Sequence, residues 1–373
     1  MLIAGEASGD LHGALLVEEL KKIEPGLIIS GVGGDKMKAA GMELIYHIKS
    51  MSFLGFAEVI KHLPHIKKVR KTLIDYIIEK KITTVVLIDY PGFNLSIAKK
   101  LKALNVKLIY YISPQIWAWG AGRVKKIKKL ITKMLVVFRF EADFYKNHNI
   151  DAEFVGHPLI DQISKYKLLD KKSFFERFNL DNDKKILLIL AGSREHEVKE
   201  IFPECVNAAL AIAKEFNMQV VVGRSPNIDE DAFELPGRND EFKVIKDFTY
   251  ELMSYSTFGI IKSGTSTLEA ALFKLPMVVV YKTNFLTYLI GRLLVKVKNI
   301  GLVNIVYGKT LVPEIIQNDL TTDNIYNESK RFLSDKTLYE FTIAKLGEIK
   351  ELLGSAGASA KAAQRIHLLM NDA

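Results

Sequence analysis

The segment Leu87-Ile88-Asp89-Tyr90-Pro91-Gly92-Phe93-Asn94 sets a single carboxylate directly after an apolar run. A buried strand ending at Ile88 hands Asp89 to the ligand side of a sheet, where apolar neighbours push a carboxyl pKa towards the range useful for proton abstraction. Pro91 stops the strand and Gly92 permits a sharp turn. The same carboxylate serves equally well as a cap for the helix that follows. Downstream, Tyr111-Ile112-Ser113-Pro114-Gln115-Ile116-Trp117-Ala118-Trp119 holds both tryptophans. Closely spaced indoles can stack on a sugar or an acyl chain, and they can as well anchor a packed loop.

Two segments in the second half suit a phosphate. Gly192-Ser193-Arg194 offers backbone N–H groups at a helix start and a guanidinium for bidentate contact. Ser263-Gly264-Thr265-Ser266-Thr267-Leu268-Glu269 offers a second small, hydroxyl-rich turn with a carboxylate one helical turn further on. Together they fit a nucleoside diphosphate, the small residues on the phosphates and Glu269 accepting from ribose hydroxyls, although a plain helix cap reads the same way. His157 lies just past a strand, as an active-site imidazole or a structural one. His62, His65 and Glu58 have helical spacing, but Pro64 and the lysines around them argue against zinc. Asp181-Asn182-Asp183 and Asp229-Glu230-Asp231 follow no apolar strand and read as solvated turns.

Positioning these groups requires strands that end beside one another. Apolar runs at Thr84 to Ile88, Lys107 to Ile112, Met134 to Phe138, Ile186 to Leu190, Met218 to Val222 and Met277 to Tyr281 alternate with amphipathic stretches. That rhythm predicts α/β architecture with parallel sheets covered on both faces. It begins with a strand, Gly5-Glu6-Ala7-Ser8-Gly9-Asp10 and a helix. After a charged, irregular segment from about Ser164 to Lys185 it restarts with a strand, Ala191-Gly192-Ser193-Arg194 and another helix. Two such openings in 373 residues predict two Rossmann-like domains facing a central cleft, with the helical tail from Asn327 packing back. The expected division is 1–165, joined by helices from about 345 to 373, against 166–344. Gly31-Val32-Gly33-Gly34 lacks the acidic residue that a dinucleotide site needs about 20 positions on.

The net charge is +9, and residues 1–165 carry 25 Lys/Arg against 16 Asp/Glu. Between Tyr90 and Phe140 stand eleven basic residues and no acidic one, a field suited to phosphate, phospholipid or nucleic acid. The start leaves no room for a signal peptide, Phe285 to Val306 is broken by three cations, and Cys205 is the sole cysteine. A cytoplasmic chain touching a membrane only peripherally is expected. The apolar residues Phe56, Val59, Ile60, Leu63, Ile66 and Val69 recur at helical spacing among Lys61, Lys67, Lys68, Arg70 and Lys71. This predicts a basic helix lying on an anionic leaflet, or one packing its apolar face into the core. Arg123 opens a second basic helix near the same crevice.

Ten segments in order carry a resemblance to the lipid-A-disaccharide synthase family, a GT-B branch of the glycosyltransferases: AGEASGD from Ala4, GVGG from Gly31, LGFAEV from Leu54, IDYPGFN from Ile88, YISPQIWAW from Tyr111, VGHPL from Val155, GSREHE from Gly192, SGTSTLEAAL from Ser263, LPMVVVYK from Leu275 and GLVNIV from Gly301. The resemblance implies inverting, metal-independent transfer of 2,3-diacylglucosamine from its UDP derivative to 2,3-diacylglucosamine 1-phosphate. The products would be a β-1,6-linked disaccharide 1-phosphate and UDP, with no cofactor. It carries the catalytic role to Asp89, with Glu6 and Ser8, and the nucleotide site to Ser193, Arg194, Ser263, Gly264, Thr265, Glu269, Lys282 and Asn304. Phe56, Ile60, Leu63, Lys67, Lys68 and Arg123 are expected to face the acceptor and an anionic inner membrane, and a homodimer is compatible with the family. Gly92, Ala191 and Arg139 depart from its pattern, Gly92 leaving Asp89 without a second carboxylate in its motif. The alternatives are an enzyme like UDP-GlcNAc 2-epimerase and a basic RNA-binding module; against the latter, the aromatics are clustered rather than interleaved with the cations.

Overall fold

The computed structural model describes residues 1–50, 62–119, 121–235, 237–283 and 298–372; Phe56 and Ile60 fall outside them. Contacts divide the chain into two compact units, Met1–Ser164 with Leu353–Ala373, and Lys165–Leu352.

The first unit is built on seven parallel strands: β1 (Leu2–Ala4), β2 (Ser30–Gly33), β3 (Glu43–His47), β4 (Thr84–Ile88), β5 (Lys107–Tyr111), β6 (Lys133–Val136) and β7 (Ala152–Phe154). Their order is β3-β2-β1-β4-β5-β6-β7. All five residues of β4 are buried, because helices cover both faces of the sheet and leave no room for an alternating pattern. Asp161 accepts hydrogen bonds from the backbone N–H groups of Gly357 (2.6 Å) and Ser359 (3.0 Å), fixing the start of the last helix, Ala358–Asn371. That helix packs on helix Ala7–Ile23. The preceding helix, Lys336–Leu353, stays with the second unit as far as Leu352, so the C-terminal return to the first unit begins at Leu353 rather than near residue 345.

Helix Leu63–Glu79 resolves the two readings of its apolar stripe. Val69, Leu73 and Ile77 are buried in the core of the first unit, and Ile66 packs against it. Of the two readings left open for this stripe, Ile66 and Val69 follow the one in which the apolar face joins the core. Leu63, at the start of the helix, is 41% exposed, and Lys67, Lys68 and Lys71 are exposed.

The second unit repeats the scheme with β8 (Lys185–Leu190), β9 (Met218–Arg224), β10 (Phe242–Lys246), β11 (Ser256–Lys262), β12 (Met277–Tyr281) and β13 (Glu314–Ile316). These six are all parallel, in the order β10-β9-β8-β11-β12-β13. Helix Glu195–Phe216 lays Val198, Ile201, Phe202, Val206 and Ala209 under the sheet together with Cys205, whose thiol pKa is pushed up by burial. The segment expected to be irregular contains helix Lys171–Arg177. Its Asp170 cap accepts from the Ser173 N–H at 3.0 Å, and Phe174 and Phe175 are buried. In both sheets the strand order reverses at the centre, between β1 and β4 and between β8 and β11, and in parallel α/β sheets ligands bind outside the carboxyl ends of such a pair. Among the described residues no helix is long and apolar enough to cross a membrane.

Candidate active site

In the first unit, Ala4 of β1 is in register with Ile88 of β4, so Gly5-Glu6 and Asp89 emerge side by side at the switch point. Asp89 and Tyr90 both adopt the left-handed region, with φ of 45° and 46°, a conformation that costs a non-glycine residue about 1–2 kcal/mol. The bend is held from two sides. Asn94 Nδ2 and the Tyr110 hydroxyl donate to the Asp89 carbonyl at 2.7 and 2.6 Å, and the Asp89 N–H donates to the Tyr111 carbonyl at 3.2 Å. A Cβ on Gly5 would lie 2.1 Å from the Tyr90 ring, so only glycine leaves room for the ring there. Backbone strain so firmly enforced marks a group whose direction matters.

Burial pushes the Asp89 carboxyl up to about 6, the Glu6 carboxylate adds to the shift, and a backbone hydrogen bond at Tyr90 opposes it. Glu6 precedes helix Ala7–Ile23 and Ser8 stands exposed on its first turn. Asp10 of the same motif works structurally: it is buried and accepts from the N–H groups of Gly34 (2.6 Å), Lys36 (3.1 Å) and Met37 (3.0 Å), tying AGEASGD to GVGG. His157 is buried and neutral. Desolvation, with a smaller contribution from His12, lowers its pKa to about 3, and its Nδ1 accepts from the Leu159 N–H at 3.1 Å.

Glu141, which the sequence reading did not single out as a site residue, is buried behind this edge. It accepts from the Ser113 hydroxyl (2.6 Å), the Trp117 indole N–H (3.0 Å) and the Phe138 N–H (3.2 Å). Burial lifts its pKa to about 7 against the lowering effect of those bonds. Trp117 also packs edge-on against Phe140 at 5.0 Å, so this indole is a loop anchor. Arg123 is exposed at the start of helix Ala121–Leu130, which buries Val124 and Ile127 and presents Lys125, Lys126, Lys128 and Lys129 outward.

In the second unit, Gly192-Ser193-Arg194 follows β8 and Ser263-Gly264-Thr265 follows β11, again the two strands of the switch point. Gly192 has φ 137°, and a Cβ there would meet Glu197 Oε2 at 2.8 Å. Arg194 precedes helix Glu195–Phe216 with its side chain 44% exposed, and Nη1 lies 3.5 Å from Glu197 Oε1. Thr265 is exposed, while Ser263 is buried and donates to the Ile300 carbonyl at 2.9 Å. Glu269 is held by the Tyr250 hydroxyl at 3.2 Å, and desolvation raises its pKa. Lys282 pairs loosely with Glu200 at 3.6 Å. Asn304 departs from its expected role. Its amide donates to the Val312 carbonyl and Glu314 Oε1, both at 2.8 Å, and its oxygen accepts from the N–H groups of Leu311 (2.8 Å) and Val312 (3.0 Å). With all four positions used inside the unit, this buried side chain holds a loop and offers nothing to a ligand.

The family model for lipid-A-disaccharide synthetase matches residues 1–365. The chain belongs to the lipid-A-disaccharide synthase family. The lipid-A-disaccharide synthase of Geobacter metallireducens is 39% identical over 366 residues, 97% of this chain and 95% of the relative. That of Myxococcus xanthus is 37% identical over 371 residues, 98% and 96% of the two chains. Among solved structures, the UDP-GlcNAc 2-epimerase of Neisseria meningitidis bound to UDP-GlcNAc is similar with a TM-score of 0.68 and 16% identity, covering 99% of each chain; at that identity the likeness is one of fold. This member of the lipid-A-disaccharide synthase family is therefore a glycosyltransferase of lipid A biosynthesis with the two parallel-sheet domains of the GT-B class.

Proposed function

We propose that the protein transfers 2,3-diacylglucosamine from its UDP derivative to 2,3-diacylglucosamine 1-phosphate, giving the β-1,6-linked disaccharide 1-phosphate and UDP. The observation that carries this reading is the Asp89 carboxylate at the switch point of the first unit, strained, largely desolvated and raised to about 6. A base must be ionised at working pH yet basic enough to take a proton, and this pKa satisfies both demands near neutrality. The acceptor 6-hydroxyl gives its proton to Asp89 as its oxygen bonds to the anomeric carbon. The bond from that carbon to the β-phosphate oxygen breaks, and UDP leaves with the pair. In the second unit the Arg194 guanidinium and the Ser263-Gly264-Thr265 turn receive the diphosphate, and Glu269 accepts from the ribose.

Displacement at one face inverts the anomeric carbon. Proton NMR of the product is therefore expected to show a β linkage from an α-linked donor, and an α-linked product would overturn the mechanism. The base reading also fixes a pH profile. Below pH about 6 Asp89 is protonated, so log kcat should fall with unit slope at saturating substrates, and the residual rate of Asp89→Asn should lack that limb. A wild-type rate flat down to pH 4.5 would contradict it.

The same proposal includes peripheral docking on an anionic leaflet through the exposed cations of helices Leu63–Glu79 and Ala121–Leu130, supported by the acylated substrates and by the absence of carboxylates between Val59 and Ile74. Each cation near such a surface contributes about 1 kcal/mol. Replacing Lys67, Lys68, Arg70 and Lys71 by glutamate should sharply reduce cosedimentation with phosphatidylglycerol vesicles at low salt while leaving UDP affinity intact. Undiminished cosedimentation would remove this helix from the docking surface.

A further inference from the structure

At the carboxyl edge of the second sheet one carboxylate faces two cations. Lys262, the last residue of β11, is only 17% exposed, and its Nζ lies 2.8 Å from Glu197 Oε1 and 5.6 Å from the centre of the Tyr281 ring. The Arg194 guanidinium approaches the same Oε1 at 3.5 Å, and the Ser193 N–H donates to Oε2 at 3.3 Å. Against burial, which would raise it, the ammonium of Lys262 and then the guanidinium of Arg194 hold the Glu197 carboxyl below its usual range. Glu197, with its side chain 8% exposed, thus serves two cations with one charge, leaving the cluster of Lys262, Arg194 and Glu197 with one positive charge to spare. The neighbouring pair, Lys282 with Glu200 at 3.6 Å, is neutral in itself and does not cancel that surplus.

We propose that Lys262 is a second cationic ligand of the donor's diphosphate, held by Glu197 beside Arg194 and turned to the phosphates when the nucleotide enters. The inference rests on the reading that this edge binds a UDP-sugar and deepens it. Lys262 precedes Ser263-Gly264-Thr265 directly, and in the sheet Ile261 is in register with Leu190, so the lysine emerges next to the Ala191-Gly192-Ser193 loop. A diphosphate spanning the two loops lies within reach of both cations, and it supplies the negative charge that Glu197 alone does not. Glu197 is a positioning residue in this arrangement: it fixes the lysine, the arginine and the Ser193 N–H without touching the nucleotide.

The test is calorimetric titration of the full-length wild type, Lys262→Met and Lys262→Arg with UDP, UMP and uridine, alongside thermal unfolding of each variant. Loss of a charged hydrogen bond should weaken UDP binding to Lys262→Met by about 10- to 100-fold, weaken UMP less, and leave uridine within about twofold. Lys262→Arg should recover most of the UDP affinity. Unchanged UDP affinity in Lys262→Met would overturn the inference, as would an equal loss for UDP and uridine, which is the result of a merely structural ion pair. A wild type that binds none of the three ligands would overturn the nucleotide reading beneath it.

Discussion

Asp89→Asn is expected to lower kcat by about 10²–10⁴-fold, the usual contribution of a positioned base, while UDP affinity stays within about twofold. The substitution preserves shape, and the bonds that hold the bend, from Asn94 and Tyr110, go to the Asp89 carbonyl and not to its side chain. The fold is therefore not at risk, and linkage predicts the direction of any stability change. The folded-state pKa of Asp89 lies above the ordinary carboxylate value, so its carboxyl favours the fold at low pH, and that contribution is lost as pH rises through about 6. At pH 7.5 the native carboxylate is a desolvated charge, and the asparagine variant should unfold at an equal or higher Tm. A slow variant with undiminished Tm identifies a chemical role. Retention of more than a third of the wild-type kcat would remove Asp89 from the base position.

The second large effect is expected in donor binding. Replacing Arg194 by glutamine, or Glu269 by alanine, should weaken UDP by roughly 1.5–3 kcal/mol, the range for hydrogen bonds to charged groups, or about 10- to 150-fold. The two losses differ in kind. With Arg194 on the phosphates, as proposed, its variant should lose affinity for UDP and keep it for uridine. With Glu269 on the ribose, as proposed, its variant should lose affinity for both. Glu269 accepts from the Tyr250 hydroxyl at 3.2 Å, which fixes the direction of the carboxylate. Unchanged UDP affinity in both variants would place the nucleotide elsewhere.

Which features were legible in the sequence follows from how local their causes are. Thr84–Ile88 and Met277–Tyr281 are continuous apolar runs between turn signals, and each is a strand with those bounds. Helix Lys171–Arg177 is two turns long and mostly charged, and its paired phenylalanines gave no period to read. The apolar stripe of helix Leu63–Glu79 was visible, but what covers a stripe depends on the sheet beside it, and here the sheet took it. At the site, a strand ending in Asp89 was readable, whereas the left-handed bend depends on Asn94 and Tyr110, the latter 21 residues away. Glu141 gave no cap signature, because the residue three before it is Phe138 rather than a hydroxyl or a carboxylate. The pairing of Lys262 with Glu197 spans 65 residues and becomes visible only when β8 and β11 lie together. Asn304 shows the converse: a polar side chain in a motif looks free on paper, and its four hydrogen bonds exist only in the folded loop.

The most direct test of the central claim is the release of UDP from UDP-2,3-diacylglucosamine, followed with and without 2,3-diacylglucosamine 1-phosphate and matched to disaccharide formation by mass spectrometry. The account predicts that UDP appears only when the acceptor is present, mole for mole with the disaccharide 1-phosphate. UDP released at the same rate without acceptor, or conversion of UDP-GlcNAc to its 2-epimer with no disaccharide formed, would contradict it.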